Sequence, residues 1–180
     1  YDSVIADVEK SISEADKQIE ELQEYIDESI YMQIDPQNIQ TVAVQYMMSA
    51  DISVGNIMNT YIAFINDGAL KEELPEKDRD LNINCYQNGN TLNVVVVHYD
   101  MDSAKRIMSI IKNRIQDYIP EIKKYQGDFN LNEIKTTEYV KADSGMTNNQ
   151  NNHRNNLRSY TNSRSDLNSK LINNQNAKKT

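Results

Sequence analysis

From the start of the chain the apolar positions Val4, Val8, Ala15, Ile19, Leu22 and Ile26 recur at steps of three, four or seven, with Glu and Asp between them. This spacing predicts a helix of the coiled-coil kind. No Gly or Pro interrupts it through Gln33, and it ends at Asp35-Pro36, because the residue before a proline is pushed out of the α region. At about 1.5 Å per residue such a helix makes a rod of about 45 Å, longer than a compact domain of this size requires, so it is expected to project.

Residues 39–48 alternate Gln40, Val42, Val44 and Tyr46 with small or apolar neighbours and are rich in β-branched side chains, which predicts a strand. Asp51 or Ser53 can cap a helix over 54–70 whose apolar side carries Ile57, Met58, Tyr61, Ile62 and Ile65. Two β-type runs, 81–86 and 91–99, flank Gln87-Asn88-Gly89-Asn90, and Asn-Gly between such runs is the strongest short hairpin signal. Asp100 or Asp102 then caps a helix over 103–118, with Ala104, Ile107, Met108, Ile111 and Ile115 inward, that ends before Pro120. A last strand is expected over 132–140, where Ile134, Thr136, Glu138 and Val140 share one parity. This order implies an α+β fold: a mostly antiparallel sheet of about four strands with two helices packed on one face.

After Asp143 the chain turns to Asn, Ser, Arg and Gln, as a low-complexity tail would. A heptad register nevertheless persists from Met146 and Gln150 through His153 and Leu157 to Leu167 and Leu171, which predicts a second long helix. Charge supplies its partner. Residues 1–30 hold ten acids against two lysines, a net of −8, and residues 144–180 hold six basic residues against one acid, a net of +5. Opposite charge and matching heptads predict a long antiparallel two-helix coiled-coil stalk. The organisation expected is a stalk helix over 1–34, an α/β domain over 35–143 and a return helix over 144–180. Gln150, His153 and Arg164 occupy seam positions where Leu would be expected, so the far end of the stalk should be soft.

Composition narrows the function classes. A formal net charge of −8, with no basic cluster on a regular helix, disfavours nucleic acid as a partner. Cys85 is the single cysteine, so there is neither a disulfide framework nor a thiolate metal cage. No stretch approaches the roughly 20 apolar residues that span a bilayer. The chain begins at Tyr1 without a methionine, as an excised fragment would, so membrane segments could have been removed from it.

Candidate chemistry is sparse. Asp100-Met101-Asp102 follows the apolar run Val94-Val95-Val96-Val97-His98-Tyr99, and a D-x-D after a buried strand resembles the metal and sugar-nucleotide site of glycosyltransferases. Such enzymes need a nucleotide-binding α/β half with a Gly-containing loop before the motif. None occurs here, and an N-cap aspartate before Ser103-Ala104 explains the same residues. His98 and His153 lie far apart and no His-x-x-His or Cys-x-x-Cys spacing exists, so no metal site is expected. Cys85 lies on a strand with no adjacent basic residue to activate it. Tyr31, Tyr46, Tyr61 and Tyr99 could stack on sugar rings, but each falls where ordinary packing explains it. With five glycines and no phosphate loop or nucleophile elbow, the expectation is a non-enzyme with no catalytic residue, cofactor or metal site.

Three segments carry a family resemblance. Met32-Gln33-Ile34-Asp35-Pro36-Gln37-Asn38-Ile39-Gln40-Thr41-Val42 resembles bacterial polysaccharide co-polymerases, the chain-length determinant family, in the branch with a long helix before the first strand. The strand Val94 to Tyr99 followed by Asp100, Ala104 and Ile107 is similar to the family's strand, acidic cap and Ala-x-x-Ile helix, although Ser109 stands where many members have Asn. Ala142-Asp143-Ser144-Gly145-Met146 with Gln150 is similar to its entry into a long return helix. The resemblance implies the extracytoplasmic domain of a cell-membrane protein with two flanking spans, which regulates chain length in capsular, exopolysaccharide or O-antigen synthesis by assembly and without catalysis. The partners it implies are further copies in a ring or oligomer, the membrane polysaccharide polymerase and the growing polysaccharide. The alternative is the extracytoplasmic sensor or ligand-binding domain of a two-span receptor, which would need a pocket of convergent polar residues that the sequence does not mark.

Overall fold

The computed structural model describes residues 1–66, 69–79 and 83–180. Its central strand is β1, Ile39–Ala50, where alternation decides the two faces: Val42, Val44, Tyr46 and Met48 are buried on one side, while Ala43, Gln45 and Met47 lie on the other. The hairpin strands β2, Ile83–Asn88, and β3, Thr91–His98, pair on one flank of β1, and β4, Phe129–Lys141, on the other. The order is β2-β3-β1-β4, antiparallel throughout. In register, Cys85 faces Val94, Val94 faces Val44, and Val44 faces Thr136.

Helices α3, Val54–Asn66, and α4, Met101–Gln126, cover the apolar face and touch one another. Ile57, Met58, Tyr61 and Ile65 from α3 and Ala104, Ile107, Met108, Ile111 and Ile115 from α4 are all buried, as their helical spacing requires. Burying an aliphatic or aromatic side chain of this size contributes about 1.5–3 kcal/mol, so these two stripes and the inner face of β1 and β3 form the core.

Local chemistry moves several boundaries. In the hairpin the strands reach Asn88 and Thr91, leaving Gly89-Asn90 as the loop. Gly89 has φ of 59° and Asn90 a negative φ, so glycine serves the first loop position, as in a type II′ turn. β2 is described from Ile83, and the start expected at Leu81 lies outside the described residues. So do residues 67 and 68, over which the helix expected to reach Leu70 would run, while α3 is described as far as Asn66. Helix α4 does not stop before Pro120 but passes through it. A proline there removes one backbone hydrogen bond. Buried Ile122 and Lys123 over the Phe129 ring at 5.7 Å anchor the last turns, and Gly127, with φ of 87°, ends them. A Cβ at position 127 would also meet the Ile52 side chain at 2.8 Å. A register shift between Gln45 and Tyr46 makes Ile134 a bulge in β4.

The chain divides into two compact units, Gln33–Asp143, which holds the sheet, and Tyr1–Met32 with Ser144–Thr180. The sheet unit starts and ends at adjacent points, since the Asp143 N–H donates to the Pro36 carbonyl at 2.8 Å. In the second unit α1, Asp2–Glu28, and α5, Ser144–Lys179, lie side by side. Their contacts run in antiparallel order: Asp2 pairs with Lys178, Asp16 with Arg164 at 2.9 Å, and the Tyr25 ring lies 5.0 Å from His153. The Gln150 amide donates to the Tyr31 carbonyl at 2.9 Å. The single helix expected through Gln33 breaks at Ser29, which is extended and whose hydroxyl accepts the Met32 N–H, opening the short α2, Ile30–Gln33. Val4, expected on the apolar seam, is 41% exposed, and Ile5 is the more covered of the two.

Candidate functional site

The D-x-D motif is spent on the start of α4. Asp100 is the N-cap, and its Oδ2 accepts the Ser103 N–H at 2.9 Å and the Ser103 hydroxyl at 2.6 Å. These two bonds hold its carboxyl below the usual range. Asp102 lies in the first turn, where its charge suits the helix dipole. Among the described residues no group of three or more His, Cys, Asp or Glu gathers around either carboxylate.

Behind the cap lies a charged cluster that the sequence did not mark. The Asp100 N–H donates to His98 Nδ1 at 3.0 Å, so the proton of a neutral ring belongs on Nε2. Nε2 is 3.8 Å from Asp78 Oδ1, beyond hydrogen-bond length, and makes no hydrogen bond among the described residues. Asp78 Oδ2 instead accepts from Arg106 Nη2 at 2.8 Å. Burial lowers the His98 pKa, and the nearby Asp78 and Asp100 carboxylates oppose it. The His98 and Asp78 side chains are each 2% exposed, too enclosed to meet a substrate, so the cluster fastens the turn Glu76–Asp78 to α4. It stayed hidden because Asp78 lies in a polar stretch without periodicity, 28 residues from Arg106.

Of the remaining candidates, Cys85, Tyr46 and Tyr61 are packed in the core, whereas Tyr99, expected to be packed, is not. Burial pushes the Cys85 thiol up to about 12, leaving it inert at neutral pH. Burial also raises the Tyr46 and Tyr61 phenols above their ordinary range, and the Tyr61 hydroxyl donates to the Ile115 carbonyl at 3.0 Å. Tyr99 is exposed beside the His98 ring at 4.4 Å, and Tyr31 and His153 approach edge-on at 6.4 Å.

Polar groups converge instead on the face of the sheet opposite α3 and α4. A shallow depression of about 260 Å³ crosses all four strands there. Register builds it: Tyr86, Asn93, Gln45 and Lys135 stand opposite one another across the sheet, and the next register along carries Val95, Ala43 and Thr137. Ala43 keeps the floor low, and Tyr86 and Tyr139, 43% and 41% exposed, lie on the outer strands. None of the lining residues is acidic. The sequence did not reveal this face, because its polar members are scattered over four strands and only the pairing brings them together.

No family model matches the chain, and neither does any curated protein or solved structure.

Proposed function

We propose that this chain is the extracytoplasmic domain of a membrane-anchored polysaccharide co-polymerase, which regulates the length of a surface polysaccharide by assembling copies of itself beside the polymerase and makes or breaks no bond. In this proposal α1 and α5 form a long antiparallel coiled-coil stalk that leads toward two membrane spans outside the chain. The observation that carries it is the adjacency of the two chain ends: Lys178 pairs with Asp2, so segments continuing from either end could enter the membrane side by side. The absence of bond chemistry is supported by the engagement of Asp100 as a cap and by the enclosure of Asp78 and His98. In the organism that carries the gene, an in-frame deletion should shift the length distribution of the surface polysaccharide on a gel while synthesis continues. An unchanged distribution overturns the proposal.

A second reading, the sensor domain of a two-span receptor, draws on one observation, the polar depression on the open sheet face. It is favoured if a small solute binds there and the deletion alters a signalling response but not polysaccharide length.

A further inference from the structure

We infer that the open face of the sheet is a binding site for a neutral or anionic oligosaccharide, held between Tyr86 and Tyr139 over the amides of Gln45 and Asn93. The ligand class follows from the chemistry of the face. Its identification with the surface polysaccharide rests on the proposed function.

A sugar ring presents an apolar patch of C–H groups on its faces and hydroxyls around its rim. The first packs on an aromatic ring, and the second need partners that both donate and accept. Tyr86 and Tyr139 offer aromatic surface on the two outermost strands, where roughly two fifths of each residue is open to solvent. Between them Gln45 and Asn93 supply amide N–H donors and carbonyl acceptors, a matched set for vicinal hydroxyls.

These groups are not consumed within the protein. Among the described residues, no hydrogen bond or ion pair engages the side chains of Gln45, Lys135, Tyr86 or Tyr139, whereas the Asn93 amide donates to Thr91 Oγ1 at 3.1 Å and keeps its carbonyl for a ligand. Lys135 is notable in this respect, because the chain carries 27 acidic residues and two lysines of α4, on the other face of the sheet, are paired with β4 carboxylates, Lys105 with Glu138 and Lys112 with Glu133. An unpaired lysine and no carboxylate, in a chain of net charge −8, select against cations and admit neutral or acidic sugars. The depression lies a little below the ~300 Å³ at which drug-sized pockets begin, and it is open, so it suits one or two rings of a longer chain lying across the sheet rather than an enclosed small molecule. Weak binding is the consequence, as a site that releases a growing chain would need.

The test is a titration of the isotope-labelled full 180-residue chain, followed by amide and side-chain NMR, with oligosaccharides released by mild acid from the producing cell's surface polysaccharide. Shifts confined to Gln45, Tyr86, Asn93, Lys135 and Tyr139 are expected. Tyr86→Ala combined with Tyr139→Ala should weaken the affinity about tenfold or more, two lost aromatic contacts being worth at least that factor. Tyr125→Ala, at an exposed tyrosine outside the depression, should leave it unchanged. Lys135→Gln should weaken an acidic saccharide several-fold and a neutral one hardly at all. Unchanged spectra for folded protein, or an affinity indifferent to the tyrosine pair, overturns the inference, as does movement of the same signals with protein concentration alone, which makes the face a contact between copies. If no saccharide binds but the gene deletion still alters chain length, the inference fails and the proposed function stands. If a saccharide binds and deletion leaves length unaltered, the reverse holds.

Discussion

At the scale of single residues the clearest feature is His98, buried and facing charged groups from three directions: Asp78 from the turn Glu76–Asp78, Asp100 beside it and Arg106 from α4. Burial outweighs the two carboxylates and depresses its pKa, so the folded state takes up this proton less readily than the unfolded chain. The unfolded state then binds more protons between the two pKa values, and stability rises with pH across that window. The contribution is present above the ordinary histidine value near 6.5 and is lost as pH falls from there toward the depressed value. Urea unfolding should therefore show stability declining between pH 7 and 5, and His98→Asn should flatten that decline. An identical slope in the variant removes His98 as the cause. A partly buried place on a strand was legible for His98, but its charged partners were not, since a histidine ending an apolar strand gives no hint of a carboxylate 20 residues earlier. An aspartate cap, at Asp100 or Asp102, was by contrast readable ahead of Ser103-Ala104, because capping geometry is local, and the structure gives the role to Asp100.

Among the elements, those with strong periodicity were legible and their ends were not. The stripes of α3 and α4 lie buried where the three-four spacing put them, except for Ile62, which is half-buried, and the Asn-Gly signal marks a hairpin. Boundaries failed where a long-range contact outweighed a local rule. Pro120 is the instance: proline inside a helix costs about 3 kcal/mol, yet α4 continues because Ile122 is 2% exposed and the Lys123 ammonium lies over Phe129. If the packing compensates for an intrinsic defect, Pro120→Ala should stabilise the chain by about 1–3 kcal/mol, read as a higher urea midpoint with an unchanged m-value. A loss of stability would mean that the proline's own ring packing matters more than the missing bond. The bulge at Ile134 was equally invisible, because an extra residue in one strand has meaning only against its partner.

On the scale of the whole molecule the two units have different sources of stability. The sheet unit has an apolar core, whereas among the described residues of α5 Met146 and Gln150 are the buried ones. Leu22 is a half-buried member of α1, and Leu22→Asp places a charge among its apolar contacts at a cost of about 2 kcal/mol. Hydrogen exchange should then quicken along 4–26 and 150–171 while the amides of β1 and β3 keep their protection. Equal loss in both regions would show that the units unfold as one. What the sequence could not supply at this scale was the composition of a surface: Gln45, Tyr86, Asn93 and Lys135 become one row only after three strand pairings are fixed.

The two rims of the sheet are not alike. On β2 the Asn66 amide donates to the Cys85 carbonyl at 3.2 Å, and its oxygen accepts the Cys85 N–H at 3.3 Å, so one side chain stands where another strand would bind. On β4, 13 residues long, β1 is the single neighbouring strand among the described residues. Runaway fibril growth by strand addition needs two receptive rims on every copy, one to join by and one to be joined at. With Asn66 occupying the Cys85 position of the β2 rim, strand exchange between copies is expected to stop at a pair. Asn66→Ala would leave that backbone pair unsatisfied and give the sheet a second rim, so on prolonged agitation the variant should seed thioflavin-positive fibres at concentrations where the parent chain stays clear. Equal clarity of the two would show that the guard against polymerisation lies elsewhere.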